Sequence, residues 1–516
     1  MTGVATHAYD VVIIGSGVGG GAVAHQLAGS RARVLILERG PVLPREPQNW
    51  SAEAVFVDQR YRTTDTWTDG GRRFRPGQYY FVGGHTKFYG AAMFRFRERD
   101  FQAQELEDGV SPEWPIRYAD LEPWYTQAEH LFGVRGQAGI DPTEPPRSAP
   151  YVHAPVPHEP VLADIERRLK AQGLHPFAMP CAIDFGPGGR CQRCGTCDGF
   201  PCRIDAKGDA EMCLIRPALL QPNIELRTEA RVDRLLTDAA GHRIVAAEVV
   251  VRGVTHRIEA GLFVLSAGAV NSAALLQRSA TARHPRGLAN SSDVVGRHFM
   301  NHNCTGLMAL HPTRRNATRF PKTLAINDHY FGNTSGNAND DGSGSRFPLG
   351  NLQLLGKLSE PMLRGAMPGW TPRPLSQWLA AHSVDWYVMS EDLPHRDSTV
   401  RLNADGSIDL RWQRTNMKTH RQWVRKASDI VKRTGYPVVL TKPFTMDTPS
   451  HQCGTVRFGS DPAHSALDPL CKAWDHDNLY VVDAAFFPSS AAVNPALTVA
   501  AQALRVGHHL RTKVLL

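Results

Sequence analysis

The sequence has no clustered charge. Of its 516 residues, 21% are charged, with 58 Lys and Arg against 50 Asp and Glu. A net charge of +8 serves nucleic acid only when it gathers into a stripe. Here the basic residues are scattered, with nothing longer than pairs such as Arg72-Arg73 and Arg314-Arg315, so no nucleic-acid partner is expected. The start, Met1 to Asp10, has no basic segment and no twin Arg. A secretory signal is therefore not expected, and the expected location is cytoplasmic. Long apolar runs are also missing. The one stretch of membrane-spanning length without a charge is Ala484 to Leu504, and Pro488, Ser489, Ser490, Asn494 and Pro495 interrupt it. It reads as a buried turn and helix, so no membrane span is expected. Cysteine is scarce, and six of the nine crowd between Cys181 and Cys213. That excludes a disulfide framework spread over the fold. No internal repeat is visible.

What remains is globular. Hydrophobic residues make up 42%, which excludes a disordered or fibrous chain. Gly and Pro together make about one residue in six, so many tight turns are expected.

The first element is Tyr9-Asp-Val-Val-Ile-Ile, whose consecutive β-branched residues predict a buried parallel strand. It runs into Gly15-Ser-Gly17-Val-Gly-Gly20 and then a helical pattern. A G-x-G-x-x-G between strand and helix is the dinucleotide-binding context. Gly15 permits the turn, Gly17 lets backbone approach a pyrophosphate, and Gly20 lets helix pack on strand. The helix N-terminus offers free N–H groups to phosphate. A second strand, from Arg33, ends at Glu38, whose carboxylate suits ribose hydroxyls. This spacing alone does not separate NAD from FAD.

Further motifs carry a family resemblance. Val82-Gly83-Gly84-His-Thr86-Lys-Phe-Tyr-Gly90 resembles the first signature of the glucose–methanol–choline (GMC) oxidoreductases. Ser266-Ala-Gly268-Ala-Val-Asn-Ser272 resembles the second, with Ala273 where Pro is usual. His451-Gln-Cys-Gly454-Thr455, Asn478 to Asp483, and Asn494-Pro495-Ala-Leu-Thr498 are similar to the family's closing motifs. Thr86 to Gly90, the run Gly109 to Leu121 and Asp141-Pro-Thr-Glu-Pro-Pro look like the bacterial pyranose-oxidase-like, glycoside-oxidising branch.

The resemblance implies an α/β plus α+β protein. A discontinuous Rossmann-type FAD-binding domain would be joined to a substrate domain built on an antiparallel sheet. The expected division assigns 1–105 to the first part of the FAD domain. Residues 106–222 are cofactor-covering loops and short helices with the cysteine-rich segment. Residues 223–299 form the second FAD part, 300–449 the substrate domain and 450–516 the closing FAD part. The substrate sheet is expected to include Thr399–Leu402 and Ile408–Trp412. Gly332 to Ser345 reads as a mobile loop, and Met362 to Arg373 as a lid or a surface loop.

The implied cofactor is FAD. Several relatives bind it covalently through a His at the position of Phe88, and His85 does not align with that residue. Non-covalent FAD is therefore expected. Its implied contacts are Gly15, Gly17, Gly20, Glu38, Gly83, Gly84, Thr86, Val232, Asp483, Ala484, Asn494, Pro495 and Thr498. The implied chemistry is oxidation of an alcohol. A neutral His suits proton removal, and the resemblance gives that role to His451, with Asn494 holding the alkoxide while hydride leaves to the flavin. Asn494 before Pro495 also reads as a helix N-cap.

The expected substrate is a secondary hydroxyl of a sugar or glycoside, with oxygen or another electron acceptor. The alternatives are a non-sugar alcohol or sterol, and a non-redox FAD-containing lyase. Cys191, Cys194, Cys197 and Cys202, flanked by Cys181 and Cys213, are compatible with structural thiols or a disulfide, an iron–sulfur cluster or zinc. No resident metal is expected.

Overall fold

The β-branched run at the start forms the centre of a seven-stranded sheet in the computed structural model, which describes residues 9–332, 346–448 and 451–515. Strand β1 (Tyr9–Ile14) pairs in parallel with β2 (Val34–Leu37) on one side and with Val254–Leu265 on the other. The sheet continues through Ile224–Arg227 beside β2, while Leu479–Val481 joins Val254–Leu265 in parallel. Helix α1 (Val18–Leu27) leaves β1 and packs on the helix Ala496–His509.

Strand Val254–Leu265 changes partner halfway. Residues from Ala260 onward pair in parallel with β1, whereas Val254 to Glu259 pair antiparallel with Ile244–Val251. Its composition follows the change. Leu262 to Leu265 are apolar and buried, as a strand covered on both faces must be. Thr255, His256 and Arg257 are exposed.

A second sheet has six antiparallel strands, ordered Val438–Pro443, Asn303–Leu310, Ser383–Ser390, Asn351–Leu354, Leu324–Ile326 and Phe177–Ala178. Two helices, Pro160–Lys170 and Met417–Lys432, cover one face. There Leu162, Leu169, Trp423 and Ile430 pack against Leu307, Trp386 and Val388. The two-residue period of a strand turns alternate side chains to the opposite face. Cys304, Tyr387 and Met389 cluster there, on the side where Asn351 and Gln353 alternate with the core residues Leu352 and Leu354.

Thr399–Leu402 and Ile408–Arg411 pair antiparallel as expected, but not in that sheet. They join Trp67–Asp69 and Arg72–Phe74 in a four-stranded sheet. The tie is Asp409, whose Oδ1 accepts from Thr68 Oγ1 (2.7 Å) and Gly70 N (3.1 Å). Residues 106–222 contain two substantial helices, Tyr118–Phe132 and Pro160–Lys170. The expected mobile loop lies outside the described residues apart from Gly332. Ala484 to Leu504 forms a short turn, Ala484–Phe486, and most of the helix Ala496–His509. Among the described residues, no helix is long and apolar enough to cross a membrane.

Candidate active site

The β1–α1 turn is built as its glycines require. Gly15 has φ +101°, and a Cβ there would meet Ser266 O at 2.2 Å. A Cβ at Gly20 would meet Gly15 O at 2.0 Å, so helix and strand touch through backbone. Gly17 is the opposite case, since a Cβ there would meet nothing within 4 Å. It borders a cavity of about 1130 Å³, larger than the ~300–1,000 Å³ of ordinary ligand pockets.

Glu38 lines this cavity and is held in place by three hydrogen bonds. Its Oε2 accepts from Ser16 N (3.1 Å) and Ser16 Oγ (2.6 Å), and its Oε1 from Gly40 N (2.9 Å). Burial pushes its carboxyl above the usual range despite these bonds. Val232, Gly84, Thr86, Asp483, Ala484 and Pro495 also line the cavity. Asp483 ties two walls together. Its Oδ2 accepts from Gly268 N (3.0 Å) and Ser272 Oγ (2.5 Å), and its Oδ1 from Ala485 N (2.8 Å).

Three predicted positions stand behind the wall. Gly20 donates its N–H to Ser266 Oγ (2.8 Å). Gly83 donates to Ser16 Oγ (3.2 Å) and accepts from Thr86 Oγ1 (2.6 Å). Thr498 is bonded to Tyr125 OH (2.8 Å). Ser16, which links Glu38 to Gly83, is an organising residue that the fingerprint did not single out.

At the cavity's other end, His451 and Asn494 meet, with Asn494 Nδ2 3.2 Å from His451 Nε2. The N-cap expectation for Asn494 is corrected. The helix begins at Ala496, Pro495 takes the cap position, and no side chain caps it. Asn494 is instead held by His451 and by Gln353 Nε2, which donates to its Oδ1 (2.9 Å).

A second histidine, His302, completes the cluster and was missed from the sequence. Met300 and Cys453 form an antiparallel bridge, exchanging N–H···O bonds of 3.0 and 2.9 Å. Two residues outward on each strand lie His302 and His451, so the register brings them face to face. Their Nδ1 atoms are 2.9 Å apart, and His302 Nε2 lies 2.7 Å from Ser490 O. The sequence signal was the polar triplet Asn301-His302-Asn303 at the entrance to a buried strand.

This geometry assigns protons. A backbone carbonyl only accepts, so His302 carries its proton on Nε2 and offers a lone pair at Nδ1. His451 must then carry its proton on Nδ1, which leaves Nε2 as the basic nitrogen. Burial holds His302 down at about 4. His451 lies well below its ordinary value through burial first, then the charges of His302 and Lys322. Both are therefore neutral near pH 7, the state a proton acceptor needs.

The wall near His451 also carries Gln78, Gln452, Tyr387 and the ion pair Lys322–Asp198 (2.7 Å). Phe88 lines the cavity and stacks on Tyr79 at 4.0 Å between centroids. A phenyl ring offers no nitrogen for a covalent link. His85 is occupied with Gln78 Oε1 (2.8 Å). Met362 lines the cavity from the short helix Glu360–Ala366, while Trp370 beyond it is 82% exposed.

No disulfide joins the six clustered cysteines. Burial pushes Cys181, Cys197 and Cys213 up to about 12, so they stay thiols. Among the described residues, no group of three or more His, Cys, Asp or Glu is arranged to hold a metal ion. The loop is instead fixed by Lys207, 1% exposed. Its ammonium donates to the carbonyls of Tyr89 (2.7 Å), Cys197 (2.8 Å) and Phe200 (2.7 Å).

A glycine-turn dinucleotide fold whose cavity ends at a neutral histidine defines the class, a dinucleotide-dependent oxidoreductase. Comparison with known proteins makes it specific. The chain matches the N- and C-terminal models of the GMC oxidoreductases over residues 71–304 and 394–503. It is 31% identical to 6'''-hydroxyparomomycin C oxidase of Streptomyces lividus, covering 98% of this chain and 91% of that one. It is 30% identical to paromamine 6'-oxidase of Streptomyces fradiae (96% and 90%). Fructose dehydrogenase large subunit of Gluconobacter japonicus is 27% identical (96% and 96%). Among solved structures, a formate oxidase superposes with TM-score 0.70 at 16% identity, covering 99% and 100% of the two chains. The chain belongs to the GMC oxidoreductase family, and it is an FAD-dependent enzyme acting on CH–OH donors.

The cavity fits that cofactor. Gly17 and Gly268 both face space in which a Cβ would meet nothing within 4 Å. Such bare backbone lets a pyrophosphate approach closely.

Proposed function

We propose that this enzyme oxidises a secondary hydroxyl of a sugar or glycoside to a ketone, as a pyranose-oxidase-like member of its family. The observation that carries the chemistry is His451 Nε2, a basic nitrogen in the cavity wall, 3.2 Å from the Asn494 amide. His451 takes the hydroxyl proton, and Asn494 orients the oxygen left behind. FAD, when bound, supplies the acceptor for the carbinol hydrogen. Gly15, Gly17, Glu38 and Val232 hold its nucleotide end, and Gly84, Thr86, Asp483, Ala484 and Pro495 border the rest. Binding is non-covalent, since Phe88 cannot form the link.

The substrate class is supported by the neutral-polar and ion-paired groups around His451, which suit a polyol better than a sterol. The named relatives include oxidases of aminoglycosides and a fructose dehydrogenase. The thiol state of the cysteine cluster suits a cytoplasmic location.

The test is anaerobic absorbance of the holoenzyme mixed with sugars, glycosides, simple alcohols and sterols. Bleaching by a glycoside alone is expected, and admitting air then separates oxygen from another acceptor. Bleaching only by simple alcohols or sterols contradicts the sugar assignment. No bleaching with any donor moves the protein toward the lyase class.

A further inference from the structure

A line of buried amides leads from Asn494 along the six-stranded sheet to a carboxylate. Gln353 Nε2 donates to Asn494 Oδ1 (2.9 Å) and to Asn351 Oδ1 (3.0 Å). Asn351 Nδ2 donates to Asn327 Oδ1 (2.8 Å), and Asn327 Nδ2 to Asp141 Oδ2 (2.8 Å). Asn327, Asn351 and Gln353 are fully buried.

An amide's oxygen and nitrogen are told apart by their partners, so the ends of the chain set its direction. Asp141 is one end. Arg97 Nη2 lies 2.5 Å from its Oδ2, and Thr143 N and Oγ1 donate to its Oδ1 (2.9 and 2.8 Å). A carboxylate only accepts, so Asn327 must turn its amine to Asp141 and its carbonyl to Asn351. Asn351 must then show its carbonyl to Gln353. Gln353 gives both hydrogens away, and Asn494 shows its amine to His451 Nε2. That nitrogen has to be the acceptor.

The Ser490 carbonyl, acting through His302, demands the same tautomer from the other side of the ring. Gln353 Oε1 records the cost, being buried with no hydrogen-bond partner among the described residues. The opposite flip of this amide would set its oxygen against two carbonyl oxygens.

We infer that Asp141, Asn327, Asn351 and Gln353 are positioning residues that hold His451 in its Nδ1–H tautomer, with Gln353 the joint at which that direction can be reversed. The inference rests on His451 being the base. Asp141 lies in the Asp141-Pro-Thr-Glu-Pro-Pro motif, which the chemistry otherwise leaves unused.

The test is Gln353→Glu beside Gln353→Met, both as FAD-loaded enzymes checked by flavin absorbance. Anaerobic flavin reduction is followed across pH with the best wild-type substrate. An ionised carboxylate at 353 only accepts. It would turn Asn494 over and force the His451 proton onto Nε2. A protonated carboxyl can still donate. Gln353→Glu should therefore work at acid pH and lose on the order of 10³-fold as its carboxyl ionises. Gln353→Met should lose about tenfold at every pH, because nothing is reversed. A Glu variant that matches the Met variant at every pH, or keeps the wild-type rate, overturns the inference.

Should the Glu variant fail to fold, histidine-selective nitrogen NMR of the wild type decides, with His451→Gln identifying the signals. A protonated Nδ1 and bare Nε2 are expected, and the reverse overturns the inference. A His451→Ala enzyme that still reduces its flavin would instead overturn the base assignment itself, whatever Gln353 does.

Discussion

The two ends of the cavity are built differently. The nucleotide end is local. Gly15, Ser16, Gly17, Gly20 and Glu38 come from one β–α–β unit and are tied largely by backbone N–H groups donating to side-chain oxygens, with Ser266 and Val232 added from further along the chain. The proposed catalytic end is assembled from distant segments: pairing brings His302 to His451, and side-chain hydrogen bonds tie Asn494, Gln353 and, through two further amides, Asp141 to them. A local site is specified by spacing. An assembled site is specified by register, and its chemistry depends on hydrogen-bond direction as much as on position. The first end should fail by losing its ligand, and the second by losing its rate.

The sharpest way to separate them is Gly20→Ala. Its methyl group would meet Gly15 O at 2.0 Å, a backbone atom with no room to yield. The expected product is protein with little or no bound flavin, measured as the flavin-to-protein ratio. Full occupancy would break the comparison. Next in size is His302→Leu, which removes the acceptor for His451 Nδ1–H. Flavin should stay bound while its reduction slows roughly 100-fold. His302→Gln can still accept from His451 and donate to Ser490, so it should recover most of the rate. Equal loss in both variants would show that His302 only fills space.

A smaller effect is expected at the cysteine loop, which belongs to neither end. Lys207→Met leaves the carbonyls of Tyr89, Cys197 and Phe200 without their donor and should cost roughly 3 kcal/mol in chemical denaturation. It should also speed thiol labelling of Cys197. Unchanged labelling would mean that the loop is held by other contacts.

A further effect, outside that order, concerns pH. Burial holds His85, His298, His302 and His476 at about 4, and His420 at about 3. The unfolded chain binds these protons near pH 6.5, so the folded state binds fewer below that pH. Stability should fall as pH drops from about 6.5 toward 4. Glu391 acts in the opposite direction. Burial raises its carboxyl to about 8, so its contribution is full below about pH 4 and lost as pH rises through 8. Glu391→Gln should therefore gain on the wild type at alkaline pH in unfolding midpoints measured across pH. A constant difference would contradict the assignment.

The same contrast decides what could be read from the sequence. The β1–α1 turn, Glu38 and the parallel strands were legible because their signals lie within one short window. His451 and Asn494 were legible because motifs mark them. His302 was not, because only the Met300–Cys453 register places it beside His451. The amide line was invisible for the same reason, since Asn351 and Gln353 are ordinary strand residues, and Asn327 the residue that follows a strand, until a sheet aligns them. Asn494 misled as a cap because its spacing before Pro495 fits a helix start. In the fold its amide is taken by Gln353 and His451. The strands 399–411 misled because pairing with Thr68 is decided by a single aspartate at long range.

The central claim is that His451 Nε2 is the base and that binding and chemistry reside at opposite ends of one cavity. Its most direct test is stopped-flow anaerobic reduction of His451→Ala beside the wild type, with flavin content measured on both. The account predicts equal flavin content and reduction slowed by on the order of 10³-fold or more. Reduction at the wild-type rate with flavin bound would contradict it.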